Sequence, residues 1–64
     1  ADYYSSLTVV IKDSALADAL STALFCMPYE DSAALAESLG AEVLWIFPDG
    51  EIRYTPGMEK LIAN

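Results

Sequence analysis

The stretch YSSLTVVI, residues 4–11, places Leu7, Val9, Val10 and Ile11 close together and is rich in β-branched side chains, which predicts a largely buried strand. Lys12, Asp13 and Ser14 interrupt it, and Asp13 or Ser14 can cap a helix over 15–27 that Pro28 ends. A second helix is predicted from Glu30 or Asp31 to Leu39, with acids in its first turn and Gly40 as its stop. The apolar run AEVLWIF (41–47) predicts a second strand, Pro48-Asp49-Gly50 a tight turn, and EIRYT (51–55) the returning strand. MEKLIA (58–63) predicts a short terminal helix. Two helices bridge the first and second strands and a hairpin joins the second and third. The order β-α-α-β-β-α therefore predicts an α+β fold containing a mixed sheet. No repeat, linker or low-complexity tract divides residues 1–64, so they read as one unit.

The first helix carries polar residues inside an apolar run. At 3.6 residues per turn, Ser14, Asp18, Ser21 and Thr22 fall on one narrow stripe. Leu16, Leu20, Ala23, Leu24 and Met27 form a broad apolar side, and Ala15, Ala17, Ala19 and Ala23 permit close approach of other backbone. A carboxylate one turn before a threonine hydroxyl presents two hard oxygen donors of the kind magnesium and calcium take. The same stripe also reads as the solvated face of an amphipathic helix. Spacing alone leaves both readings open, because D-x-x-x-T is a weak pattern.

Composition changes the picture. A chain of 64 residues makes one small domain at most, and such a domain buries only about 60% of the surface its unfolded chain exposes. Yet 55% of the residues are hydrophobic, more than a chain this small can hide alone. That surplus predicts a piece of a larger fold or one partner of a tight assembly. The single cysteine, Cys26, excludes an internal disulfide, and the absence of histidine argues against a zinc-type cluster. Three Lys plus Arg against ten Asp plus Glu give a net charge of −7, which disfavours nucleic acid and anionic membrane surfaces. No run approaches the roughly 18 apolar residues of a membrane span, and ADYYSS has no signal-peptide pattern.

SSLTVVIKDSALADALSTALF, a helix, and then LGAEVLWIFPDGEIRYTPGMEKL together resemble the C-terminal end of the ApbE family. These are flavin transferases once called thiamine biosynthesis lipoproteins. The likeness runs over nearly the whole chain, and its specific core is Ala17 to Phe25. Family members are several times longer, so the resemblance implies a C-terminal segment of a flavin transferase domain. One departure is Cys26-Met27-Pro28, where family members often have a small apolar pair and a glycine; it puts the exit of the helix in question.

The resemblance implies Mg2+-dependent transfer of FMN from FAD to a threonine of an acceptor flavoprotein subunit through a phosphoester bond, releasing AMP. Some members instead hydrolyse FAD to FMN and AMP. Carried over residue by residue, Asp18 and Thr22 are the metal ligands, and Ser21 is a candidate contact to the nucleotide. The partners implied are the remainder of the transferase chain and the acceptor protein. The location implied is the extracytoplasmic face of the bacterial inner membrane, periplasmic or lipid-anchored. No general base is evident in a chain without histidine, so a catalytic histidine would have to come from elsewhere. The competing class is a non-catalytic structural subdomain; both oxygen ligands being present favours the transferase.

The remaining candidates read as structure. Trp45 and Phe47 are expected to pack in the core and not to stack on flavin, and Tyr3 and Tyr4 to pack at a strand edge. Cys26 is expected to be a buried small hydrophobe. Arg53, with Glu51 near it in sequence, reads as a solvated face. Neither a G-x-G-x-x-G loop nor a P-loop pattern occurs.

Overall fold

A computed structural model describes residues 3–62. The elements run β1 (Ser6–Val10), α1 (Ser14–Phe25), α2 (Tyr29–Leu39), β2 (Glu42–Ile46), β3 (Ile52–Tyr54) and α3 (Pro56–Ile62). This is the predicted β-α-α-β-β-α order in an α+β arrangement. The last residue of the expected terminal helix, 63, lies outside the described residues.

Local chemistry explains most of the boundaries. Asp13 is the N-cap of α1, its carboxylate accepting from the backbone N–H groups of Ala15 (3.0 Å) and Leu16 (3.2 Å). The helix stops at Phe25, two residues short of the predicted end. Pro28 disfavours helical geometry at the residue before it, and the N–H groups of Cys26 and Met27 turn back to the Ala23 and Leu24 carbonyls instead. Pro28 then caps α2, so one proline both ends α1 and begins α2. Gly40 closes α2 at φ 69°, a left-handed conformation suited to glycine, as the sequence predicts.

The sheet has the order β1-β2-β3 and is antiparallel throughout. The expected mixed sheet is therefore not found among the described residues. A single crossover helix returns the chain parallel to its first strand; α1 and α2 reverse it twice, and β2 enters antiparallel to β1. Leu7 faces Trp45 and Val9 faces Val43, while across the hairpin Trp45 faces Arg53. The hairpin closes as predicted. Phe47 N–H donates to the Glu51 carbonyl (2.8 Å), Gly50 N–H to the Phe47 carbonyl (2.9 Å), and Gly50 sits at φ 93°.

The core lies between α1, α2 and one face of the sheet. Tyr4, Leu20, Leu24, Ala36, Ala41, Val43 and Trp45 form it, with Phe47 packed against its margin. Fully burying a leucine such as Leu24 contributes about 1.5–3 kcal/mol. Ser32 is wholly buried beside Trp45 and accepts the indole N–H at 2.9 Å, so the polar end of the largest core side chain is satisfied. Trp45 and Phe47 thus pack as predicted. Tyr4 is also a core residue and is anchored by its hydroxyl, which donates to the Met27 carbonyl at 2.8 Å. Two expectations fail. Cys26 is exposed, because the early end of α1 puts it on the outer side of the turn to α2. Ala15 and Ala19 are exposed to solvent, so they do not serve as packing positions.

Candidate functional site

Helix α1 presents the predicted stripe on its outer surface. Asp18 and Thr22 are exposed and Ser21 is half-buried. The Ser21 hydroxyl donates to the Asp18 carbonyl at 3.0 Å, and the Thr22 hydroxyl donates to the same carbonyl at 3.3 Å. Such back-bonding is the ordinary resting state of hydroxyls within a helix. It spends the proton and leaves oxygen lone pairs turned outward. The Asp18 carboxylate takes no hydrogen bond or ion pair within α1, whereas Asp13, one turn earlier, is committed to capping.

This donor set suits a hard divalent cation in kind, with one carboxylate and one hydroxyl a turn apart. It falls short in number. Among the described residues no group of three or more His, Cys, Asp or Glu is placed to hold a metal ion. By themselves Asp18 and Thr22 offer two oxygen donors, fewer than the roughly six or more that such a cation takes.

Ser21 and Thr22 border a concavity of about 300 Å3, walled also by Leu7, Phe25 and Cys26. The sequence reading missed this wall. Its apolar members come from β1 and from the last turn of α1, which only the packing of the helix on the sheet brings together. A larger concavity of about 410 Å3 lies between α2, the start of β2 and the β3–α3 junction. It contains no residue of the stripe. It is bordered by Glu42, whose carboxylate accepts from the Thr55 hydroxyl, so that acid is already occupied.

Arg53 is on the surface as expected. It is paired with Glu51 at 2.8 Å and lies 5.1 Å from the Tyr29 ring centroid. The hydrogen bond to Glu51 raises its pKa above the ordinary arginine value. Tyr3 is exposed, and its ring centroid lies 6.1 Å from that of Tyr4.

An antiparallel sheet backed by two helices, with an oxygen-donor stripe on α1, defines an α+β segment able to contribute part of a cation site. Residues 1–45 match the ApbE family, and the chain belongs to that family. It is also similar to a protein of Treponema pallidum (strain Nichols) named FAD:protein FMN transferase, with 41% identity over 54 residues. That match covers 83% of this chain and 15% of the relative, so the chain spans a small fraction of the curated protein it resembles. No solved structure matches the chain.

Proposed function

We propose that this segment supplies two magnesium ligands, Asp18 and Thr22, to an enzyme that transfers FMN from FAD to a threonine of an acceptor protein. The acceptor hydroxyl oxygen bonds to the FMN phosphorus, the bond from that phosphorus to the bridging diphosphate oxygen breaks, and AMP departs. The hydroxyl proton passes to a general base; a histidine in that role would have to come from outside these 64 residues, which hold none. Magnesium, when bound, offsets negative charge on the diphosphate as that bond breaks. Asp18 contributes the anionic anchor and Thr22 a neutral oxygen. Ser21, on the rim of the 300 Å3 concavity, is placed to contact the nucleotide.

The observation that carries this reading is the Asp18 carboxylate: exposed, without an intrahelical partner, and one turn from a hydroxyl whose proton is already committed. Family membership and the name of the Treponema relative supply the flavin chemistry. The resemblance also supports a place for the complete enzyme on the extracytoplasmic side of a bacterial inner membrane.

The test is AMP release from FAD by the complete polypeptide, with and without acceptor, across a Mg2+ titration. Asp18→Ala is expected to abolish Mg2+-dependent turnover, because the cation loses its protein anion beside an anionic diphosphate. Unchanged activity would return Asp18 to the role of a solvated helix residue. AMP release that is indifferent to acceptor would identify hydrolysis in place of transfer.

A further inference from the structure

The joint between β3 and α3 is built around a half-buried charge. Among the described residues every Asp, Glu, Lys and Arg is exposed except Glu42. Alternation along β2 places it on the face opposite Val43 and Trp45. Its carboxylate accepts from the Thr55 hydroxyl. Thr55 is in turn bonded in two directions. Toward the sheet, its N–H donates to the Val43 carbonyl (3.1 Å), and its hydroxyl oxygen accepts from the Val43 N–H (3.1 Å). Toward α3, its carbonyl accepts from the N–H groups of Met58 (3.0 Å) and Glu59 (3.3 Å). Gly57 completes the cluster. A Cβ there would collide with the Glu42 carboxylate, so the acid lies directly against the α3 backbone.

We propose that Glu42, Thr55 and Gly57 form a catch that holds α3 to the sheet as a separately releasable element. With the carboxylate seated, α3 is docked; with it displaced, α3 leaves β2 while α1, α2 and the sheet stay folded. Three observations carry this. The rest of α3 is lightly attached: it packs against β2 and buries Met58, which is not a member of the core under α1 and α2, while Leu61 and Ile62 are 53% and 52% exposed. The catch engages both sides of the joint, since Glu42 belongs to β2 and Gly57 to α3. Glycine is also a weak helix former, so its place in α3 follows from the room the carboxylate needs and not from propensity. Thr55, Pro56 and Gly57 wall one side of the 410 Å3 concavity, so release of α3 opens that side.

Hydrogen exchange of the complete polypeptide, without FAD or Mg2+, tests this independently of the metal assignment. Amides of α3 are followed against those of α1. Glu42→Ala and Thr55→Val each remove the bond to the charged group and are expected to speed α3 exchange by about tenfold or more, leaving α1 unchanged. Thr55→Ser keeps the hydroxyl and is expected to stay within about twofold of the parent. Gly57→Ala separates a catch from ordinary helix stability. In the Glu42→Ala background, with the carboxylate gone, it is expected to slow α3 exchange about two- to fivefold, as Gly→Ala does at compatible sites. With Glu42 present, the new methyl displaces the carboxylate from Thr55 and that slowing is lost. The same Gly57→Ala effect in both backgrounds overturns the proposal. So do α3 amides that exchange no faster in Glu42→Ala than in the parent, or as fast in Thr55→Ser as in Thr55→Val. Acceleration spread equally over α1 also overturns it, because α3 then does not release by itself.

Discussion

Thr22 donates its hydroxyl proton to the Asp18 carbonyl, and this sets how its substitutions should differ. Thr22→Val keeps the shape and removes the oxygen donor, so metal binding is expected to weaken less than in Asp18→Ala, with extra Mg2+ restoring part of the rate. Thr22→Ser keeps the oxygen and is expected to be the mildest of the three. The check is the Mg2+ concentration at half-maximal AMP release; a Thr22→Val curve that overlays the parent rules out a ligand role. Tyr4 carries a prediction about pH. Burial pushes its phenol above the usual tyrosine value, so the folded state holds that proton more tightly than the unfolded state. The resulting stability is fully present below the unfolded value of about 10 and is lost as pH rises through the higher folded value. Tyr4→Phe removes the bond to the Met27 carbonyl and is expected to cost about 1 kcal/mol at neutral pH. Denaturant titrations of the complete protein should show that gap narrowing above about pH 10; a gap that widens contradicts the assignment.

At the scale of elements, the hairpin depends on one backbone conformation. Gly50 at φ 93° has nothing within 4 Å of where a Cβ would stand, so substitution there is penalised by backbone conformation and not by a clash. Gly50→Val is expected to destabilise the hairpin by about 1 kcal/mol or more. Hydrogen exchange at the Phe47 amide, which closes the turn, reads this directly; unaltered protection there would show that the conformation costs nothing. The helix pair was equally local in origin. Asp13, Pro28 and Gly40 act on their immediate neighbours: a capping carboxylate, a ring that disfavours helix before it, and a residue whose missing Cβ admits a left-handed stop. At the end of α1 the boundary drifted because apolar residues continue past the last helical hydrogen bond, at Cys26 and Met27.

For the whole molecule, the surplus of apolar residues foreseen from composition stands on the surface. Leu16 and Phe25 of α1, Leu39 of α2, Ile52 and Tyr54 of β3, and Leu61 and Ile62 of α3 are all exposed. A chain with so much uncovered apolar surface gains by associating. The isolated 64-residue segment is therefore expected to be oligomeric, aggregated or poorly folded. Sedimentation together with thermal melting checks this, and a monomer with a sharp cooperative melt would contradict it.

Element type and order were legible in the sequence because caps, prolines, glycines and apolar runs act over a few residues. Asp18, Ser21 and Thr22 were likewise placed on one stripe by helical periodicity alone. The hairpin fixed β3 antiparallel to β2, but the direction of β2 against β1 was not legible, since it depends on how two successive helices fold back over the sheet. Ser32 as the partner of Trp45, thirteen residues away, and the Leu7 wall beside Thr22 also had no local signal. Nor had the difference between the two sheet faces. Apart from Glu42 both faces of β2 are apolar in sequence, and only the side on which α1 and α2 pack decides that Val43 and Trp45, and not Leu44 and Ile46, lie in the core.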